Sequence, residues 1–233
     1  MKDAREPVRF KGSPARVVAT LELTEALASS GTCHAILPEA GSFPLAIRPL
    51  RSQQPIISAL SFRLPKSTPP GSYKGDIELG ERRIPIVVDV ESRSSLRFIH
   101  PKFTCKGLSG ARVRTQLTVL NRGNVSVSLP GKDTFCVFEE SGVVRALYRG
   151  LAAENLEGGC RIDRILDELA QAHGGLVRIT IKKGAGRLAP EEVRDLEIDL
   201  HFPRRVMGGK TYRGTWSIAG ADLEVVIEIP KRS

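Results

Sequence analysis

The sequence predicts an all-β protein of two tandem β-sandwich domains, the second with a short helical insertion. Three observations carry that expectation. The first is a phrase that occurs twice: an alternating strand, a Pro/Gly turn, a Tyr-basic-Gly triplet and a second alternating strand. It runs from Leu60 through Leu64-Pro65 to Gly71-Ser-Tyr73-Lys-Gly75 and Leu79. It returns from Leu196 through Pro203 to Gly209-Lys-Thr-Tyr212-Arg-Gly214 and Ile218. A polar turn and a third strand follow each time, Ile84–Val90 and Leu223–Ile229. The second observation is apolar alternation with a period of two along much of the chain. The third is length. A chain of 233 residues can bury one large core or two modest ones, and the repeat favours two.

The elements follow in order. Val8–Phe10 and Arg16–Leu23 open the first domain as β-rich stretches, and Ser29-Ser-Gly31 is a turn signal. Cys33–Leu37 reads as a short strand stopped by Pro38. Phe43–Ile47 reads as an edge or irregular strand, because Pro44 and Pro49 remove ladder donors. Three prolines between Pro65 and Gly71 require a loop. The polar run Glu91-Ser-Arg-Ser-Ser95 marks the boundary, giving domains at 1–92 and 96–233 with a linker at 93–95.

In the second domain, Leu96–Phe98 and Phe103 come first. Val113–Leu120, Asn121-Arg-Gly123-Asn124 and Val125–Leu129 read as strand, turn and strand, since Gly and Asn tolerate left-handed backbone. Phe135–Phe138 and Val143–Tyr148 are expected to pair around a Glu139–Gly142 turn. Arg161–His173 reads as a helix, the core of an insertion near 150–175. Its Ile162, Ile165, Leu166 and Leu169 form one stripe expected to pack on the sandwich, and Gly174-Gly175 stops it. Strands resume at Leu176–Lys182.

Composition removes several function classes. The net charge of +9 divides as thirteen Lys/Arg against ten Asp/Glu up to residue 95, and twenty-two against sixteen after it. No block of five like charges occurs and aromatics make up 5%. Single-strand binders need stacking aromatics beside a basic groove, so a solvated, mildly basic surface is expected and no specific nucleic acid. No apolar run approaches the ~20 residues of a membrane span. The opening residues Met1–Pro7 are polar and show no signal peptide. The protein is then periplasmic or at the cell surface if a signal was removed, and cytoplasmic otherwise.

No catalytic constellation is visible. His34, His100, His173 and His201 lack the spacing of a metal site. A nucleophile pair such as Cys136 with His201 has no local support. Lys183-Gly-Ala-Gly186 precedes a strand, whereas a phosphate loop opens a helix. Glu22, Glu78, Glu197, Asp199, Glu224 and Glu228 sit on alternating positions as solvent faces. Cys33, Cys105, Cys136 and Cys160 contain no C-x-x-C pair and read as free thiols; if a bridge forms, Cys105–Cys136 is the first candidate. Tyr73 and Tyr212 are expected to bury their rings at sandwich corners and place their hydroxyls on nearby backbone. Trp216 stands where Ile77 stands, so both should face the core.

The tail of each half resembles bacterial immunoglobulin-like sandwich modules, the small additional domains of surface, adhesion and carbohydrate-active proteins. Leu64-Pro65 through Pro69-Pro70-Gly71-Ser-Tyr73 is similar to their closing pattern, and Leu120-Asn121-Arg-Gly123-Asn124-Val125 to an early turn between strands. The resemblance covers about half of the chain and implies spacers, adhesive surfaces or assembly parts without catalytic residues. In size and architecture the chain also resembles the two-domain pilus-assembly chaperones of the periplasm, which bind partners along a strand edge.

The resulting expectation is a non-catalytic module without cofactor or metal. It binds another protein, within a larger assembly or by self-association, through sandwich edges and loops. A pilus-assembly-type chaperone and a carbohydrate-binding accessory module are the alternatives. Unpaired strand edges accept another strand, and proline disqualifies Phe43–Pro49 and Pro65–Gly71. The expected docking edges are therefore Val125–Leu129 and Leu176–Lys182, with Val125, Val127, Leu129, Ile179 and Ile181 as the partner-binding residues.

Overall fold

A computed structural model describes residues 6–23, 33–50, 56–79, 82–152 and 158–231. The turn expected at Ser29–Gly31 lies outside them. The chain divides into two compact units. The first comprises Met1–Ser94 with Arg122–Ser126 and Ala189–Glu191; the second comprises Ser95–Asn121, Val127–Leu188 and Glu192–Ser233.

The strands of the first unit are β1 (Val8–Ser13), β2 (Arg16–Leu23), β3 (His34–Leu37), β4 (Gly41–Pro44), β5 (Ala46–Pro49), β6 (Ile56–Phe62), β7 (Gly71–Leu79) and β8 (Arg82–Val90). They form one ladder in the order β4-β3-β7-β8-β1-β2-β6-β5. Strand β1 is the joint. Its residues Val8–Gly12 run parallel to Ile86–Val90 of β8, and Lys11–Ser13 run antiparallel to Arg16–Val18 of β2. Phe43 of β4 stacks on Phe62 of β6 at 6.1 Å between ring centroids. In a flat ladder those strands would stand six spacings apart, about 29 Å. The ladder is therefore folded over at β1 into two facing layers. Phe10, Val17, Leu60, Ile77 and Val88 fill the space between them. With β1, β2, β6 and β5 in one layer and β3, β7 and β8 in the other, the order is that of an immunoglobulin-type sheet pair. The expected strand Phe43–Ile47 is in fact two, β4 and β5, at opposite ends of the ladder.

The second unit contains β9 (Leu96–Phe98), β10 (Lys102–Lys106), β11 (Arg112–Asn121), β12 (Val127–Leu129), β13 (Lys132–Glu139), β14 (His173–Lys183), β15 (Gly186–Leu188), β16 (Val193–His201), β17 (Lys210–Ile218) and β18 (Ala221–Ile229). The main ladder is β10-β18-β17-β13-β14-β16-β11-β9, and β12 pairs with β15 separately. It also folds over: Phe98 of β9 reaches Trp216 of β17 at 5.6 Å. Strand β14 continues both β13 and β16, taking the place that the separate strands β4 and β5 hold in the first unit. Because β12 pairs with β15 and not with β11, the tight hairpin expected at Asn121–Asn124 is corrected. Asn124 is instead a buried node of the first unit. Its side-chain amide donates to the carbonyls of Glu91 (2.9 Å) and Thr68 (3.1 Å), and its Oδ1 accepts the Arg93 N–H at 2.6 Å.

The repeated phrase has the same geometry in both units. Tyr73 pairs with Val88, Gly75 with Ile86 and Ile77 with Ile84. Tyr212 pairs with Ile227, Gly214 with Val225 and Trp216 with Leu223. In each case the pairs fall at the same positions of two nine-residue strands. The Tyr73 hydroxyl donates to the Pro69 carbonyl at 2.8 Å, and the Tyr212 hydroxyl accepts the Met207 N–H at 2.9 Å. Ile77 and Trp216 are both buried. The triplet's glycine has a steric cause. A Cβ on Gly75 would stand 2.1 Å from the Ile36 carbonyl oxygen of β3, and one on Gly214 2.3 Å from the Cys136 carbonyl oxygen of β13.

Two helices lie between β13 and β14: α1 (Glu140–Leu151) and α2 (Gly158–Ala172). Val143–Tyr148, expected as a strand, belongs to α1. Its apolar residues recur at 143, 144, 147, 148 and 151, a helical spacing, and Arg145, Ala146, Leu147 and Arg149 are good helix formers. Helix α2 covers all but the last residue of the expected 161–173. Its stripe does not pack as expected, since Ile162 and Leu166 are 60% and 56% exposed.

Cys105 and Cys136 are free thiols, as expected, and the conditional bridge between them does not form. Strands β18 and β17 stand between β10 and β13, so the backbones are about 14 Å apart, beyond the reach of a disulfide. The side chain of Cys160 lies outside the described ones.

Replacing Gly214 by alanine forces the Cys136 carbonyl and the Phe135 ring aside. We expect a loss of about 1–3 kcal/mol, read as a lower urea midpoint with an unchanged slope.

Candidate functional site

The residues expected to bind a partner do not form a surface. Ile179 and Ile181 are 1% and 7% exposed, and Val127 and Leu129 4% and 2%, all within the second unit's core. Strand β14 has β13 on one side, where Ile179 meets Asp133, and β16 on the other, where it meets Leu200. It is an interior strand, so the expectation of a docking edge at Leu176–Lys182 is corrected. Alternation was read properly there, but it says which face is buried and not whether a strand has two neighbours. Val127 and Leu129 likewise spend their side chains on the core, while Val125 is half-buried in a segment of the first unit. The two main ladders end at β4 and β5, which carry Pro44 and Pro49, and at β9 and β10, while β12 and β15 pair only with each other. Lys102 and Lys106 of β10 pair with Glu224 and Glu228 at 3.6 and 3.5 Å, and edge lysines discourage strand addition.

The side chains with nucleophilic potential are also dispersed. Cys136 pairs across to Leu176 and His201 to Arg178, both on β14. Their backbones are two strand spacings apart, about 10 Å, and offset by two residues, which is no geometry for a nucleophile and its base. Burial, then Glu228, push the Cys105 thiol up to about 11, away from the reactive thiolate. Among the described residues no group of three or more His, Cys, Asp or Glu is placed to hold a metal. Among them, too, no helix is long and apolar enough to cross a membrane.

The feature that stands out is the helical pair. Glu139 anchors its start. This side chain is 4% exposed. It accepts a hydrogen bond from Lys210 Nζ of β17 at 2.8 Å, another from Ser141 Oγ, and one from Arg145 at 3.3 Å. Glu140 in the first turn meets Arg213 of β17 at 2.9 Å, and an acidic group there also suits the helix dipole. The two helices touch through small residues: Ala146 and Ala172 are buried, and a Cβ on Gly142 would lie 2.7 Å from that of Ala172. Arg149 bridges to Glu168 at 2.7 Å. Contacts at Gly142–Ala172 and Arg149–Glu168 require antiparallel helices.

The opposite side of α1 is apolar and open. Val144, Leu147, Tyr148 and Leu151 are 65%, 46%, 73% and 72% exposed. At 100° per residue they span an arc of about 100°. On α2 the same rotation, counted from its inner residue Ala172, turns exposed Ile162 and Leu166 to that helix's own flank. Four large apolar side chains thus share one surface on α1. A groove of about 670 Å³ runs beside it, lined by Val144 and Tyr148 of α1 and by Gly209, Lys210 and Thr211 at the start of β17. Contiguous exposed apolar surface of this kind marks an interaction site. The helical spacing of residues 143–151 was the available signal. It competes there with two adjacent valines, which favour a strand.

No protein-family description and no curated protein sequence matches this chain. Solved structures do match it. A protein of unknown function from Porphyromonas gingivalis is 11% identical, with 96% of each chain covered and a TM-score of 0.30. An I-band fragment of titin is 9% identical, with 98% of this chain and 63% of that chain covered and a TM-score of 0.38. A titin tandem of immunoglobulin domains is 10% identical, with 97% and 94% covered and a TM-score of 0.26. None of these superpositions reaches a TM-score of 0.5, so no property of those proteins is carried over.

The Lys210 hydrogen bond, followed by that from Ser141, holds the Glu139 carboxyl below its ordinary range. A lowered folded-state value stabilises above the unfolded carboxyl's range and is lost as pH falls through the folded value. Glu139→Gln should therefore be less stable than wild type near neutral pH by roughly 1–3 kcal/mol. The gap should close as acid protonates the wild-type carboxyl. Denaturation midpoints of both proteins, followed from about pH 7 to about pH 3, check this.

Proposed function

We propose that the protein is a non-catalytic binding or assembly module. In this reading it has two tandem immunoglobulin-like sandwiches, at 1–92 and 96–233, and the helical pair is an insertion in the second. The partner is another protein, held mainly by the apolar outer face of α1. One observation carries the reading: four large apolar side chains are exposed together on α1, whose inner side is already satisfied by Gly142, Ala146 and, from α2, Ala172. Leaving such surface in water is unfavourable by about 25 cal/mol per Å² of apolar area, which a partner recovers by covering it. Tyr148 is the natural anchor, since tyrosine carries large contact area on few rotatable bonds and is enriched among binding hot spots.

Two supports stand beside it. The thiol and imidazole groups are dispersed over separate strands. Three of the four ends of the two main ladders, β4, β5 and β10, carry proline or ion-paired lysine, which favours the helices over those edges for docking.

A photo-crosslinking residue in place of Tyr148 should join the protein to one predominant partner in the source cell. The same group at Lys74 in the first unit should not. The double variant Tyr148→Asp/Leu151→Asp should keep its far-ultraviolet circular dichroism, because both positions are exposed, and lose capture. Sedimentation of the pure protein separates self-association from a foreign partner. Full capture by the folded double variant, or turnover of a small substrate by the pure protein, would falsify the proposal.

A further inference from the structure

We infer that the outer face of β14, β16 and β11, with the loop after β16, is a binding site for a saccharide chain bearing sulfate or phosphate esters. This site lies apart from the helical pair and does not depend on the protein-binding reading.

The site is built by strand register. Cross-strand partners in an antiparallel ladder project from the same face. His201 of β16 is paired with Arg178 of β14 on one side and Arg112 of β11 on the other. Three basic side chains therefore stand in one row, at strand spacings of about 4.8 Å. Two residues along, Arg114 and Asp199 form the next row. Beyond His201 the chain leaves the sheet as an arch. Phe202 and Val206 are both 3% exposed and fix its ends. Between them Arg204 and Arg205 are held outward, with Ser109 Oγ donating to the Arg204 carbonyl at 2.7 Å. Row and arch enclose a cleft of about 600 Å³ lined by Arg178, Arg204, Arg205, His173 and His201, and no carboxylate is among its lining residues.

The nearby acids do not neutralise it. Asp199 is 2% exposed and sits beneath Arg114 at 2.9 Å, with Arg112 at 3.8 Å and Lys182 at 3.9 Å. Glu197 is engaged by Arg114 at 3.4 Å and Lys183 at 3.7 Å. Arg178, Arg204 and Arg205 form no ion pair with any described residue. Three unpaired guanidiniums around one concavity repel each other, and an anion relieves that repulsion. Arginine also presents two parallel donors to tetrahedral oxyanions.

The shape of the site selects among anions. Free phosphate is far smaller than the cleft, and three arginines line it, so repeated charge on a chain fits better than a single ion. Single-stranded nucleic acid needs exposed aromatic rings for its bases. The aromatic side chain that lines the cleft, Phe202, is buried in the core. Sugar rings carrying ester groups need only the guanidiniums of Arg178, Arg204 and Arg205 and the polar imidazoles of His173 and His201 beside them.

The test uses the full-length protein and titration calorimetry. The probes are a sulfated hexasaccharide, its unsulfated counterpart, inorganic phosphate and a mixed-sequence oligodeoxynucleotide. We expect binding of the sulfated probe that weakens as salt rises, with little binding of the unsulfated one. The triple variant Arg178→Gln/Arg204→Gln/Arg205→Gln should lose about tenfold or more in affinity. A control that removes as much charge from the first unit, Arg16→Gln/Lys66→Gln/Lys74→Gln, should bind like wild type. All three cleft positions are exposed, and unchanged circular dichroism verifies the fold. No binding of the sulfated probe, equal loss in both triple variants, or tighter binding of phosphate or the oligonucleotide overturns the inference.

Discussion

In the first unit the opening strand β1 lies parallel to the closing strand β8 through Val8–Gly12, and in the second β10, which follows β9, lies parallel to the closing strand β18 through Lys102–Lys106. The rest of each unit depends on that pairing. It brings together the two ends of a unit, so its loop-closure entropy is large and must be offset by the core formed at the same time. In the first unit the same strand pairs with β2 through its last residues, and this divided allegiance turns one ladder into two layers. The contact of Phe10 with Phe62, 5.1 Å between centroids, exists because β1 stands at that fold. In the second unit the role is shared by β9, which pairs with β11, and β10. The layers then meet through Phe98 and Trp216, and Trp216 Nε1 donates to Asp133 at 2.8 Å.

Once the closing strands are fixed, the Tyr-basic-Gly triplet follows from packing. The glycine admits the carbonyl of β3 or β13, and the tyrosine two residues earlier ties the strand to the preceding loop. Tyr212 adds a contact of its own, since a Cβ on Gly174 would stand 2.6 Å from its ring. Gly174 therefore belongs to the seat of Tyr212 as well as to the end of the helical segment.

This explains what the sequence could disclose. Tyr73, Gly75, Tyr212 and Gly214 were legible as a repeat because each is dictated by contacts within one strand pair and its neighbour. Trp216 was legible by its equivalence to Ile77. The helix at Val143–Tyr148 was obscured by its two adjacent valines, which favour strands, and its apolar spacing was weighed too lightly. The docking edges were misplaced for a different reason. Whether β14 has one neighbour or two depends on which distant strand lies beside it, and alternation contains no such information. Charge behaved in the same way. Arg112, Arg178 and His201 are scattered along the chain, and only register collects them beside one another.

The parallel first-to-last pairing also governs how the first unit answers a mechanical pull. Tension applied to the chain on either side of that unit draws the opening strand toward its own start and the closing strand toward its own end. For parallel neighbours these directions are opposite and lie along the strands. The ladder between β1 and β8 is then sheared, so its five paired positions resist together instead of opening one by one. Rupture under force is set by the rate of crossing that barrier and not by equilibrium stability. A unit closed in this way can be modest in thermodynamic stability and still resist extension.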